Sequence, residues 1–343
     1  MEEMNNMEWE AITPPENAVR EMASIRKNIK KQNWKIIFTS IVLVIALLLG
    51  TVYGVMPLVE KCYWNPTDST FDEYNSDLRL VLQAYTELFL PGKSVSVLPG
   101  KTGFAEYDLH MTMQDTVRGT KEHFMGRLYK GNLGFDREYL DRGADGYFRS
   151  ARFPEYPESA VEENVKDVRA KLQELPEYVR LEAAVTFPED VTMAQLLETM
   201  EYDYIGKTGD LTTVWAAIRT QTPRTGTVHR AVGIAFTLAP MNGGINEAYP
   251  EFTLTKFDPS GSTLEAHFKS LMQFSSDMML DGKAVLIWHE DHNFYEEALA
   301  YVEENGVKAY GSIVTGTPET LLTLLDSGDI LDMELLDAWI DVS

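Results

Sequence analysis

Cysteine is almost missing from this chain of 343 residues. Cys62 stands alone, so no intramolecular disulfide can form and the fold must be held by its apolar core. Basic charge is also scarce. Thirty Lys and Arg face 53 Asp and Glu, a formal net charge of −23, which argues against nucleic acid or an anionic lipid surface as a ligand of the acidic part. None of the six histidines falls in the H-E-x-x-H pattern that puts two imidazoles one turn apart with a glutamate between them. There is no G-x-S-x-G nucleophile elbow and no cysteine beyond residue 62. Gly311 and Gly316 have the spacing of P-loop glycines, but Thr317-Pro318 stand where that loop needs Lys and then Ser or Thr. These two glycines read instead as a strand bulge and a strand exit. Nothing in this inventory commends an enzyme, a metal or a cofactor.

A long apolar run does occur. Ile36 to Val55, IIFTSIVLVIALLLGTVYGV, carries no charge, and about 20 such residues in a helix cross the hydrocarbon core of a bilayer. A cleaved signal peptide is the competing reading, but its apolar core is usually about 7–15 residues and lies close to the start. Here a longer run follows residues 1–35, with no A-x-A-like exit, and LVEKC lacks the small residues expected before a lipoprotein cysteine. The expectation is an uncleaved membrane anchor. Arg20, Arg26, Lys27, Lys30, Lys31 and Lys35 crowd its N-terminal flank, which predicts that residues 1–35 lie in the cytoplasm and the rest outside. Residues 1–35 balance six acids against six bases, so the whole net charge belongs to the exported part.

The cytoplasmic piece is patterned. Thr13 is placed to cap a helix opened by Pro14, Pro15 and Glu16. Ala18, Met22, Ile25 and Ile29 then share one helical face, with Trp9 among acidic residues ahead of them. About 35 residues cannot bury a core of their own. The stripe therefore predicts a partner surface formed by Trp9, Met22, Ile25 and Ile29. Within the span, Gly50 and Gly54 form a GxxxG pattern, which predicts a dimer face between membrane helices.

Beyond the span the patterns predict a mixed α+β or α/β fold: a cytoplasmic segment 1–35, a membrane helix 36–56, a β-rich module 57–155 and an α/β sandwich domain 156–343. A helix is expected over 77–89, ending at Pro91-Gly92, and strands over 107–113 and within 124–129. RFPEYPESA, residues 152–160, marks the boundary. After it come a helix 161–175, a strand 179–187, a helix 188–200 and strands 211–219 and 231–238. A helix 264–279, a strand 284–288, a helix 293–304, a strand 309–314 and a helix capped by Thr317 follow. Past that helix the patterns assign no element.

WHEDH, residues 288–292, admits two readings. His289 and His292 with nearby carboxylates are the only basis for a membrane-tethered enzyme. Zinc requires three or four ligands, and no spacing places His229 or His267 beside them. The segment ends an apolar strand, and Asp291 or Asn293 suits a helix cap, so the strand-to-helix turn is the reading adopted.

VRLEAAVTFPEDVTMAQLLETM followed by DLTTVWAAIRT resembles the start of the C-terminal module of the sigma factor regulator family, membrane-bound anti-sigma factors of Gram-positive bacteria. VKAYGSIVTGTPETLLTLL resembles its closing strand and helix, and the basic helix running into the span, with YDLHMTM beyond, resembles its N-terminal module. The resemblance implies a cytoplasmic segment that restrains an extracytoplasmic-function sigma factor. It also implies an exported part that senses envelope state through an unknown envelope ligand, with no cofactor. One anti-sigma class carries a cytoplasmic zinc motif, H-x3-C-x2-C; residues 1–35 have neither His nor Cys, which excludes it here. An envelope scaffold with no cytoplasmic partner remains the other non-enzymatic expectation.

Overall fold

The computed structural model describes residues 16–71, 75–135, 144–199, 211–223, 230–236, 247–256, 258–280 and 292–340. The chain divides into two units, Met1–Cys62 and Tyr63–Ser343. In the first, α1 (Glu16–Gly50) runs unbroken from the amphipathic stretch into the apolar run. Its 35 residues span roughly 52 Å at a rise of about 1.5 Å each. Pro57 lacks an N–H, and a proline ring collides with the carbonyl four residues back. The helix accommodates it by widening into a π turn, Thr51–Val55, in which the Met56 N–H reaches the Thr51 carbonyl. Thr51 Oγ1 donates back to the Leu47 carbonyl at 2.9 Å. A short α2 (Met56–Glu60) follows.

The second unit opens with α3 (Asp77–Phe89), capped by the Ser76 hydroxyl and buried along Leu78, Leu82, Leu88 and Phe89. It packs on a four-stranded antiparallel meander: β1 (Lys93–Gly103), β2 (Glu106–Asp115), β3 (Lys121–Tyr129) and β4 (Asn132–Phe135). Tyr107, Leu109, Met111 and Met113 alternate inward along β2, the period-two pattern of a half-buried strand. After α4 (Arg149–Arg152) and α5 (Glu158–Glu174) comes a five-stranded sheet in the order β7-β6-β8-β5-β9. Its strands are β5 (Val179–Thr192), β6 (Thr212–Ile218), β7 (Gly233–Ala235), β8 (Lys308–Gly316) and β9 (Asp332–Ile340), and every pairing is antiparallel. Four helices accompany them: α6 (Met193–Thr199), α7 (Ser262–Leu280), α8 (His292–Asn305) and α9 (Pro318–Ser327).

This sheet is buried on both faces, so burial along β6 and β8 is continuous rather than alternating. One face, with Leu181, Ala183, Val185 and Val314, joins a core that continues through α7 and α3 into the four-stranded sheet. The other, with Ala184, Trp215, Ala217 and Ile313, closes over Phe148 and Tyr310. The prolines of residues 152–160 separate the two sheets in sequence, yet side chains from both fill one core.

Two expectations need correction. The helix expected over 188–200 begins only at Met193, because Val191 and Thr192 stay in β5 and pair with Ala309 and Lys308. Pro188, Glu189 and Asp190 look like a helix start but form an insertion in that strand. The other is β9, which no pattern announced. A register shift leaves Leu336 unpaired between Leu335 and Asp337, and this breaks the alternation of DMELLDAWI. The expected strand 284–288 lies outside the described residues.

Candidate functional site

Met22, Ile25 and Ile29 are 56%, 51% and 52% exposed on α1. They sit ahead of the apolar run on the same uninterrupted helix, with Val19 exposed beside them. Trp9, expected to extend this surface, lies outside the described residues. Gly50 closes α1 and Gly54 falls inside the π turn, and a Cβ on either would meet nothing within 4 Å. Among the described residues, the stretch Glu16–Glu60 is the one long and apolar enough to cross a membrane.

The histidine readings divide. His289 and Asp291 lie outside the described residues, and His292 opens α8. His267, on α7, is buried: its Nδ1 lies 2.8 Å from the Glu251 carbonyl and its Nε2 lies 2.9 Å from Glu87 Oε2. That second contact has the distance of an ion pair. Burial opposes the imidazolium, yet the Glu87 carboxylate, with help from the Glu251 and Phe252 backbone, raises the His267 pKa above its ordinary value. Among the described residues no group of three or more His, Cys, Asp or Glu is arranged to hold a metal ion.

A charged cluster ties the two sheets together. Asp115, at the end of β2, accepts from Lys93 Nζ at 2.5 Å and from the Val117 and Arg118 amides at 3.0 and 2.8 Å. Burial works against the charge on Asp115, but these donors together hold its pKa below the usual carboxylate value. Arg118 reaches Glu182 of β5 at 3.5 Å and Asp337 of β9, and its guanidinium lies 5.2 Å from the Trp339 ring centre. Burial, then the negative charge of Asp115, pushes the Glu182 pKa up. A partly buried, cross-linked cluster of this kind helps to fix how one sheet sits on the other.

Sequence reasoning missed one further gathering of side chains. Arg152 of α4, Arg219 after β6 and Arg230 before β7 line one cleft together with Tyr310 of β8. No local motif announces it: Arg152 belongs to the segment read as a boundary, and Arg219 reads as the end of an apolar strand.

Residues 172–336 match the family model described as sigma factor regulator C-terminal. The match runs from the last turn of α5 into β9 and so takes in the five-stranded sheet with its helices. No curated protein and no solved structure matches the chain. The order of strand, helix and Trp-bearing strand that suggested the family is therefore the order of β5, α6 and β6 in this sheet. Residues 172–336 carry the C-terminal domain of the sigma factor regulator family, a family of regulators and not a known enzyme family, which supports a role in regulating a sigma factor.

Proposed function

We propose that the protein is a single-pass membrane anti-sigma factor for an extracytoplasmic-function sigma factor. In this reading residues 1–35 hold the sigma factor on the cytoplasmic side, and Tyr63–Ser343 responds to the envelope outside. The observation that carries the reading is α1: one unbroken helix joins an exposed apolar stripe to an apolar run of membrane-spanning length. A continuous helix passes rotation or displacement from one end to the other, whereas a flexible joint would dissipate it. The basic flank on the N-terminal side of the run supports the orientation. Burying Met22, Ile25 and Ile29 on a partner gains about 1.5–3 kcal/mol for each fully covered side chain, before the cost of ordering the interface. Gly50 and Gly54 supply a dimer face in the same reading.

The test is co-purification of a sigma factor with the full-length chain from its source cell, beside the double variant Ile25→Asp, Ile29→Asp. The wild type is expected to retain the sigma factor and the variant to lose it, with a matching rise in sigma-dependent transcription. Equal recovery from both, or transcription indifferent to the variant, overturns the assignment of the stripe.

A further inference from the structure

We infer that the junction between the two sheets of the second unit is a proton-sensing element: Glu182 takes up a proton as the medium is acidified, and the four-stranded sheet is then held more firmly on the five-stranded one.

The geometry sets three carboxylates around one guanidinium. Glu182 of β5 stands directly opposite Asp337 of β9, because the register shift that skips Leu336 puts the two acids in one pair. Like charges at such a position repel. Arg118, from the turn after β2, lies between them: it reaches Glu182 at 3.5 Å and pairs closely with Asp337. The same guanidinium stands 3.9 Å from Asp115 of β2 and 5.2 Å from the ring centre of Trp339 on β9.

The three acids are not served alike. Asp115 accepts from Lys93 and from two backbone amides, which keep it ionised. Asp337 has a side chain 46% exposed and so retains water. The Glu182 side chain is only 16% exposed and lies against Gly92, where the chain enters β1. Among the described residues it accepts no hydrogen bond, and its ion pair is the 3.5 Å contact with Arg118. Burial, with Asp115 and Asp337 beside it, outweighs Arg118 and Lys93 and raises its pKa above the ordinary 4.5. Tyr147 faces the same charges, since Glu182, Glu334 and Asp337 add to burial in pushing its phenol up. Arg180 precedes Glu182 by two residues on β5, while β8 and β6 bring Thr315 and Val214, which do not titrate.

A proton on Glu182 ends its repulsion with Asp115 and Asp337 and leaves Arg118 to those two, one in each sheet. Because the folded pKa of Glu182 is raised, the folded chain binds this proton more tightly than the unfolded one. Stability is therefore gained as pH falls through the folded pKa, and the gain is complete below 4.5. Asp115 has the opposite sign. Its pKa is lowered, so its contribution is present above 3.8 and lost only as pH falls through its folded value. Acidification from neutral pH thus tightens the junction before it breaks the pairs of Asp115. Glu182 lies within the matched residues 172–336 and Arg118 outside them, so the proton acts between the family domain and the sheet that precedes it. In naming hydrogen-ion concentration as a condition to which the second unit responds, the inference rests on the proposed function; the titration of the junction does not.

The test follows the thermal midpoint of the full-length chain, purified in a zwitterionic detergent, from neutral pH down to 4.5. Wild type is compared with Glu182→Gln, which keeps the shape and fixes the group neutral. His267 and Glu334, whose pKa values are also raised, titrate in both proteins and drop out of the difference. The difference is expected to shift by about 2–4 °C across the range, in favour of the wild type toward acid. A purely structural role for Glu182 gives a constant offset, so a difference that does not change with pH, or shifts the other way, overturns the inference. Asp337→Asn removes the opposing charge and is expected to lower the pH at which the wild-type gain appears; a gain left where it was also overturns it. In cells, sigma-dependent transcription that responds to external pH in the wild type and not in Glu182→Gln supports the sensing role. A shifting difference in vitro with transcription indifferent to the variant supports the proton site and counts against the sigma-factor reading instead.

Discussion

Gly311 has no side chain because the Phe148 ring occupies the space. A Cβ there would lie 2.6 Å from both that ring and the Val185 carbonyl oxygen. Phe148 is itself held with φ of 60°, a left-handed conformation unusual for a bulky residue, and its ring stacks near Trp215. Gly311→Ala is expected to destabilise the fold by about 1–3 kcal/mol through overpacking, and a urea unfolding midpoint equal to the wild type's counts against it. Glu87 does two jobs at the end of α3: its carbonyl accepts the Trp215 indole N–H at 2.8 Å, and its carboxylate faces His267. Because the folded pKa of His267 is raised above 6.5, the stability it contributes is fully present below that value. It is lost as pH rises through the folded pKa. The stability difference between the wild type and His267→Gln should therefore be largest on the acid side and shrink toward alkaline pH. A difference that is flat with pH would show that the pair contributes no linkage.

At the scale of elements, local chemistry explains the accurate expectations and competition explains the failures. Thr317 was expected to cap a helix opened by Pro318, and its side chain accepts the Thr320 amide at the start of α9. Thr317→Ala should cost about 0.5–2 kcal/mol, read from thermal or urea unfolding, and no loss would show the cap to be redundant with packing. The helix over 77–89 was legible to the residue, since its apolar period and its Pro-Gly stop are both local. PEDVT carried equally local helix-start signals, yet pairing with β8 outweighed them and kept Val191 and Thr192 extended. α1 shows the opposite case. The basic helix expected to run into the span does so as one continuous α1, which widens only where Pro57 approaches.

For the whole molecule, the lone cysteine reports the topology. Cys62 is exposed at the end of the first unit, just past the apolar run. If the proposed orientation holds, a membrane-impermeant maleimide labels Cys62 in intact cells. Labelling that requires permeabilised membranes would reverse the topology and place the acidic unit inside.

The sequence by itself determined the apolar run, the amphipathic stripe, the lack of disulfides and most of the helix and strand order. All of these are composition or short-period patterns, carried by residues close together in the chain. Only the tertiary structure decided the strand order β7-β6-β8-β5-β9, the single core beneath both sheets and the meeting of Arg152, Arg219, Arg230 and Tyr310. Those residues lie on different elements, brought together by long-range pairing and by bulges whose register no local pattern encodes.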